Sequence, residues 1–299
     1  MKKNPRKPIS VDEGTLPFAE PIPTRHPEPA VKRLRYPVWT ENKAKLIERY
    51  LYYFVLITHH GTYIDGFAGP QQADKTEMWA ASLVLNSEPR WLRHFYLFDE
   101  NKDQVAKLVK LKQHHLKENP GRDVQIYPGD FNKRVVGLLR SQQITEKEAT
   151  FCLLDQRTFE CKWNTVKAIA EYKKSENKIE LFYFLAIHWL QRALSAAQDE
   201  QVVAWWGRAD WHELRGLSGA DIAERLCERM RAELKYKSAK AWPIYERQTG
   251  GAIMYYMVHA TDHPEAPLLM ARAYNKAVEP KEAMKQLKLE LPNSAIGEK

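Results

Sequence analysis

Cysteine is scarce in this chain. The three thiols among its 299 residues, Cys152, Cys161 and Cys227, stand at irregular spacing with no histidine-rich segment to join them. That spacing suggests neither a disulfide framework nor a metal centre, and three buried thiols are expected instead. Long apolar runs are missing as well. No stretch reaches the roughly 18 residues that a membrane span needs, and the opening Met-Lys-Lys is not followed by an apolar segment of signal-peptide length. The expectation is a cytoplasmic protein without a membrane partner.

What is present is the makings of a core. Hydrophobic residues make up 44% of the chain and aromatics 11%, and the formal net charge of +8 with a pI near 9.2 points to an acidic partner, for which nucleic acid is the commonest candidate. The basic residues are spread out. They gather at Lys2, Lys3, Arg6 and Lys7, at Lys32, Arg33 and Arg35, and along residues 102–117, where a solvated helix face accounts for them. Eight of the 17 prolines fall within the first 37 residues, so 1–37 is expected to be an extended arm and 38–299 the folded domain.

Order is expected to begin near Trp39-Thr40, with Thr40 as a helix N-cap. Ala44, Ile47, Leu51, Phe54, Val55 and Thr58 then recur at helical spacing. His59-His60-Gly61 reads as a polar helix terminus that delivers the chain into Tyr63-Ile64-Asp65-Gly66-Phe67-Ala68-Gly69-Pro70. This apolar strand ends on an acid and breaks into a glycine-punctuated turn. In open α/β sheets ligands collect at such strand ends, where glycines let the backbone come close. The Asp65 carboxylate there suits a cationic ligand better than a pyrophosphate.

The pattern then repeats. A helix over 78–85, a strand over 93–98 ending on Asp99-Glu100, a helix over 101–117 and a strand over 124–127 closed by Gly129-Asp130 are expected in turn. A helix through Val135 and Leu139 leads to 149–154, too continuously apolar for a half-exposed strand and therefore central in a parallel sheet, ending at Asp155. Asp65, Asp99, Asp130 and Asp155 are separated by 34, 31 and 25 residues, the repeat of βαβ units. Right-handed crossovers would set all four on one rim of the sheet. A helix over 166–172, a fifth strand over 179–185, a helical insertion over about 191–240 and a hairpin of 242–245 with 252–258 about Thr249-Gly250-Gly251 complete the expected domain. The tail from 278 is expected to fray.

These residues resemble the three-Cys-motif partner proteins, a family with a Rossmann-like, S-adenosylmethionine-dependent methyltransferase fold. The likeness covers most of the chain after residue 38. It rests on the Trp39-Thr40 opening, on Tyr63 to Pro70, on Asp99, Gly129-Asp130 and Leu153-Leu154-Asp155 with Phe159 and Trp163 behind it, on Trp206-Gly207, and on Tyr255-Tyr256 before His263-Pro264. The resemblance implies S-adenosylmethionine along the sheet rim. Asp65, Gly66, Phe67, Ala68 and Gly69 would approach its methionine part, Asp99 with Glu100 its ribose, and Asp130 with Phe131 its adenine. Asp155, Arg157 and Phe159 would form the catalytic end. It also implies a neighbouring three-Cys-motif protein as partner; the cysteines counted above are not that motif. Where the family usually continues with Pro-Phe-Gly after the acid, this chain has Gln156-Arg157-Thr158, a departure at the place of methyl transfer.

Three functions remain open on these residues. One is a methyltransferase acting on a macromolecular acceptor, nucleic acid or protein. Another is a catalytically altered, cofactor-binding scaffold subunit docked on a partner protein. The third is a metal nuclease built on Asp99, Glu100 and Asp130.

Overall fold

The computed structural model describes residues 42–70, 78–157, 159–174, 177–195, 199–247 and 250–277. The expected arm, the Thr40 cap and the tail from 278 lie outside them. The described chain is an α/β fold around one seven-stranded sheet in the order β3-β2-β1-β4-β5-β7-β6. Strands β1 (Gly61–Asp65), β2 (Leu92–Asp99), β3 (Asp123–Pro128), β4 (Thr150–Leu154) and β5 (Glu180–Ala186) are mutually parallel. The last two, β6 (Ser238–Arg247) and β7 (Gly250–Thr261), form an antiparallel hairpin that pairs through β7 with β5.

The central strands show why the continuous apolar runs belong there. All five residues of β4 and all seven of β5 are buried, because helices cover both faces of the sheet and neither parity of side chain meets water. Alternate residues enter opposite cores. Ile64, Cys152, Leu154, Leu181 and Tyr183 pack on one face, Tyr63, Phe151, Leu153, Phe182 and Phe184 on the other. The first face is covered by α4 (Phe131–Arg140), α5 (Trp163–Ala170) and the helical insertion, the second by α1 (Lys43–Thr58), α2 (Ala80–Leu85), α3 (Lys102–Glu118) and α9 (Ala266–Lys276).

Several boundaries differ from the expected ones. Helix α2 starts at Ala80 rather than 78, and α5 starts at Trp163, three residues early. The insertion consists of α6 (Ile187–Ser195), α7 (Asp199–Trp206), a 3-10 turn at Ala209–Leu214 and α8 (Gly219–Ala232), so it begins before 191 and ends before 240. Residues 238–240 already pair with β7. Helix α9 was not foreseen; its Leu269, Met270, Ala273 and Tyr274 pack beside α1 in the second core.

A buried cation joins the insertion to α5, beside the apolar side chains that the insertion adds to the first core. Arg229, on α8, lies between the rings of Trp163 and Trp206, at 3.9 and 4.2 Å from their centroids, donates to the Trp206 carbonyl and pairs with Glu233. Gly207 follows with φ of +76° directly over Trp163, where a Cβ would stand 2.5 Å from the indole. The Trp206-Gly207 pair, one of the residues on which the resemblance rests, thus meets a packing requirement. The three cysteines are free and buried, as expected, and burial holds the Cys227 thiol up at about 12. Among the described residues no helix is long and apolar enough to cross a membrane.

Candidate functional site

Because β3, β2, β1 and β4 are parallel neighbours, the four acids that close them share one edge of the sheet, as their spacing required. A cleft of about 700 Å³ opens there, within the range of small-molecule sites. Gly66, Phe67, Gly69, Asp99, Glu100, Asp130 and Phe131 line it together with Asp155, Arg157 and Phe159. Ten of the twelve residues expected at the site therefore meet in one place. The remaining two, Asp65 and Ala68, do not line the cleft.

Asp65 lies under the turn and is 1% exposed. Its Oδ1 accepts the Phe67 N–H at 3.1 Å and its Oδ2 the Tyr63 hydroxyl at 2.9 Å. Burial raises its pKa to about 7, against the lowering effect of those two hydrogen bonds. It shapes the turn from beneath. Ala68 is buried too; its carbonyl accepts the Trp79 indole N–H at 2.6 Å.

The turn consumes its own donors. Gly66 N–H bonds Leu153 O at 2.9 Å, Phe67 N–H bonds Asp65, Ala68 N–H bonds Phe98 O at 2.8 Å, and Gly69 N–H bonds Asp99 Oδ2 at 2.9 Å. No amide of this turn is left to cradle a phosphate, unlike the glycine loops that bind pyrophosphate. Gly69 is sterically required, since a Cβ would stand 2.4 Å from Asp99 Oδ2 and 2.6 Å from Gln104 Cβ. At Gly66 the close neighbours are Leu154 and Phe131, each 3.1 Å from such a Cβ, so this glycine makes room for the floor of the cleft.

Asp99 also accepts the Asn101 N–H at 2.8 Å through Oδ1. A carboxylate has about four acceptor sites, so capacity remains on Asp99 for hydroxyl donors. Asp130 caps α4 by accepting Asn132 N–H at 2.9 Å. Asn132 itself ties two loops together, donating to Glu160 O at 2.7 Å and accepting from Lys162 N–H at 2.9 Å and Thr165 Oγ1 at 2.7 Å. Phe159 forms wall, its ring 5.2 Å from that of Trp205.

The residue most clearly missed by sequence reasoning is Lys43. Its ammonium sits 2.8 Å from Asp155 Oδ1, with both side chains at most a tenth exposed, and lies about 5 Å from the ring centroids of Phe184 and Tyr255. The signal was its place on the apolar stripe, in line with Ile47, Tyr50 and Phe54, where a charge needs a partner. Gln156 is also buried, donating to Phe184 O at 3.3 Å and accepting from Cys161 N–H at 2.9 Å. Arg157 is exposed on the rim; its backbone N–H bonds Glu160 Oε2 at 2.6 Å.

The cleft is acidic although the chain is basic. Its lining carries six carboxylates, Asp99, Glu100, Asp130, Asp155, Glu160 and Glu200, against two cations, Arg157 and Lys162. Among the described residues no three acids, histidines or cysteines come together as metal ligands, so Asp99, Glu100 and Asp130 do not form the centre that a metal nuclease would use.

No family model and no curated protein matches the chain. Among solved structures, the chain is similar to a Legionella pneumophila protein described by the family model DUF519, with 12% identity over 80% of this chain and 93% of that one and a TM-score of 0.46, a likeness too distant to bear on function.

Proposed function

We propose that this cleft binds S-adenosylmethionine and that the chain is a methyltransferase of Rossmann-like fold acting on a macromolecular acceptor, in keeping with the resemblance to three-Cys-motif partner proteins. The observation that carries the reading is the pairing of an acid-lined cleft with a glycine turn whose amides are all engaged. A site with those two properties disfavours polyphosphate and favours a ligand with cationic centres and hydroxyl donors. The strand order 3-2-1-4-5 over the parallel part also supports it, being that of doubly wound nucleotide-binding sheets.

The residues present fit the cofactor. Asp99, held in place by the Gly69 N–H, would accept the ribose hydroxyls, and Asp130 and Phe131 would bound the adenine. The bound cofactor would supply an electrophilic methyl group. Phe159 and Arg157 at the rim would orient the acceptor, and no base is compulsory if the acceptor atom is already neutral.

Lys43 favours a second reading. With Asp155 ion-paired and Gln156 fixed to backbone, the end of β4 is committed to internal contacts, as expected of a cofactor-binding subunit that serves a partner without turning over. Calorimetric titration with S-adenosylmethionine and S-adenosylhomocysteine tests what both readings share, and binding of both at micromolar affinity or better is expected. Binding of neither would remove both. Labelled methyl transfer into RNA, DNA or protein pools then separates enzyme from scaffold.

A further inference from the structure

On the opposite edge of the sheet, where β4 and β5 begin, lies a second cavity of about 590 Å³ that the cofactor reading does not use. One wall is apolar, formed by Tyr50, Phe54 and Ile57 of α1 and by Ala266 and Leu269 of α9, and the opposite side is polar, with Lys147 and Lys178 beside the carboxylates Glu146, Glu148, Glu180 and Asp262. At its polar end stands Lys173, 5% exposed.

That lysine is an incompletely satisfied buried cation. An ammonium has three donors, and the hydrogen bond that Lys173 makes is to the Glu148 carbonyl. No carboxylate among the described residues lies within ion-pair distance of it. Burial lowers its pKa to about 8, against the raising effect of the Glu148 and Glu146 carboxylates, neither of which comes within ion-pair distance. Of the four carboxylates that line the cavity, Glu148 lies 3.9 Å from His94 Nε2 and the other three are engaged elsewhere. Glu180 accepts from Tyr50, from His259 at 2.9 Å and from Thr261 at 2.9 Å, while Asp262 pairs with Lys178 at 3.3 Å and takes the Lys237 N–H at 2.9 Å. Glu146 accepts the Lys174 N–H.

We propose that this amino-edge cavity is a binding site for a small amphipathic carboxylate, its anionic head on Lys173 and its apolar body along α1 and α9. The reasoning is complementarity. A cavity of this volume with mainly apolar walls takes a molecule of drug-like size, and a desolvated ammonium with donors to spare gains a charge-assisted partner only from an anion. The proposal is independent of S-adenosylmethionine at the other edge.

Decanoate is a suitable probe, with decanol and decylamine as matched controls on the full chain. Saturable binding of decanoate in the micromolar range, with a raised melting temperature and affinity at least about tenfold above both controls, is expected, since a hydrogen bond to a charged group is of that order. Lys173→Met should abolish the preference while leaving the unliganded melting temperature within a few degrees. Ile57→Trp, at a half-buried wall position, should block all three probes. Absence of saturable decanoate binding, equal binding of the three probes, or an unchanged preference in Lys173→Met would each overturn the assignment.

Discussion

Asp99 concentrates the cofactor hypothesis into one carboxylate. It receives Gly69 and Asn101 N–H groups and keeps acceptor capacity on the cleft side. Asp99→Ala is expected to weaken S-adenosylmethionine binding about 10- to 100-fold, the equivalent of about 1.5–3 kcal/mol for charged hydrogen bonds; calorimetry on the variant checks it, and unchanged affinity would place the ribose elsewhere. Asp65 gives a different signature, one in stability. Its folded pKa of about 7 exceeds the ordinary carboxylate value, so the folded chain holds a proton that the unfolded chain has released between about pH 4 and pH 7. The contribution of this group is complete below that window and is lost as pH rises through it. Asp65→Asn should therefore flatten the decline in stability from pH 5 to pH 8, read from urea midpoints, and an identical slope in the variant would refute the assignment. Lys43 and Asp155 form a buried pair, and removing one partner leaves the other charge uncompensated. Lys43→Ala should cost about 3–5 kcal/mol by urea denaturation, with Lys43→Met combined with Asp155→Leu recovering most of it.

At the scale of elements, the hairpin is secured to the parallel sheet by more than strand pairing. Glu180, at the first position of β5, accepts from Tyr50 of α1 and from His259 and Thr261 of β7, so one carboxylate joins a helix, a parallel strand and an antiparallel strand. Glu180→Ala would orphan all three donors at once. A loss of about 3 kcal/mol or more is expected, because each unsatisfied buried polar group costs about 1–3 kcal/mol. Hydrogen exchange should show β7 and α1 losing protection together; loss confined to β5 would mean that the network does not couple them. From sequence the element shows only a strand over 179–185. Its amino-terminal acid carries no local pattern, because Tyr50, His259 and Thr261 are brought to it from 130, 79 and 81 residues away.

For the whole molecule, charge and site have opposite signs. The chain carries +8, whereas the cleft lining holds six acids and two bases. Nucleic acid drawn by the net charge should then settle outside the cleft. Fluorescence anisotropy with a labelled single strand is expected to show affinity that falls steeply with salt and is unaffected by saturating S-adenosylhomocysteine. Competition between the two would put the phosphates in the cleft.

Periodicity and spacing alone were enough for the alternation of strands and helices, the central place of β4, and the four acids on one rim, since each follows from local pattern and from the geometry of parallel crossovers. Of the twelve site residues that the family resemblance implied, ten line the cleft. Only the tertiary structure decided that Asp65 turns inward beneath its turn, that Lys43 neutralises Asp155 from 112 residues away, and that helix α9 completes the second core. It also decided that Lys173 is buried at the polar side of a cavity, with its ammonium bonded to the Glu148 carbonyl. The physical reason is common to all four: burial, packing and the pairing of charges depend on which distant segments arrive beside a residue, and a spacing within the chain carries no record of that meeting.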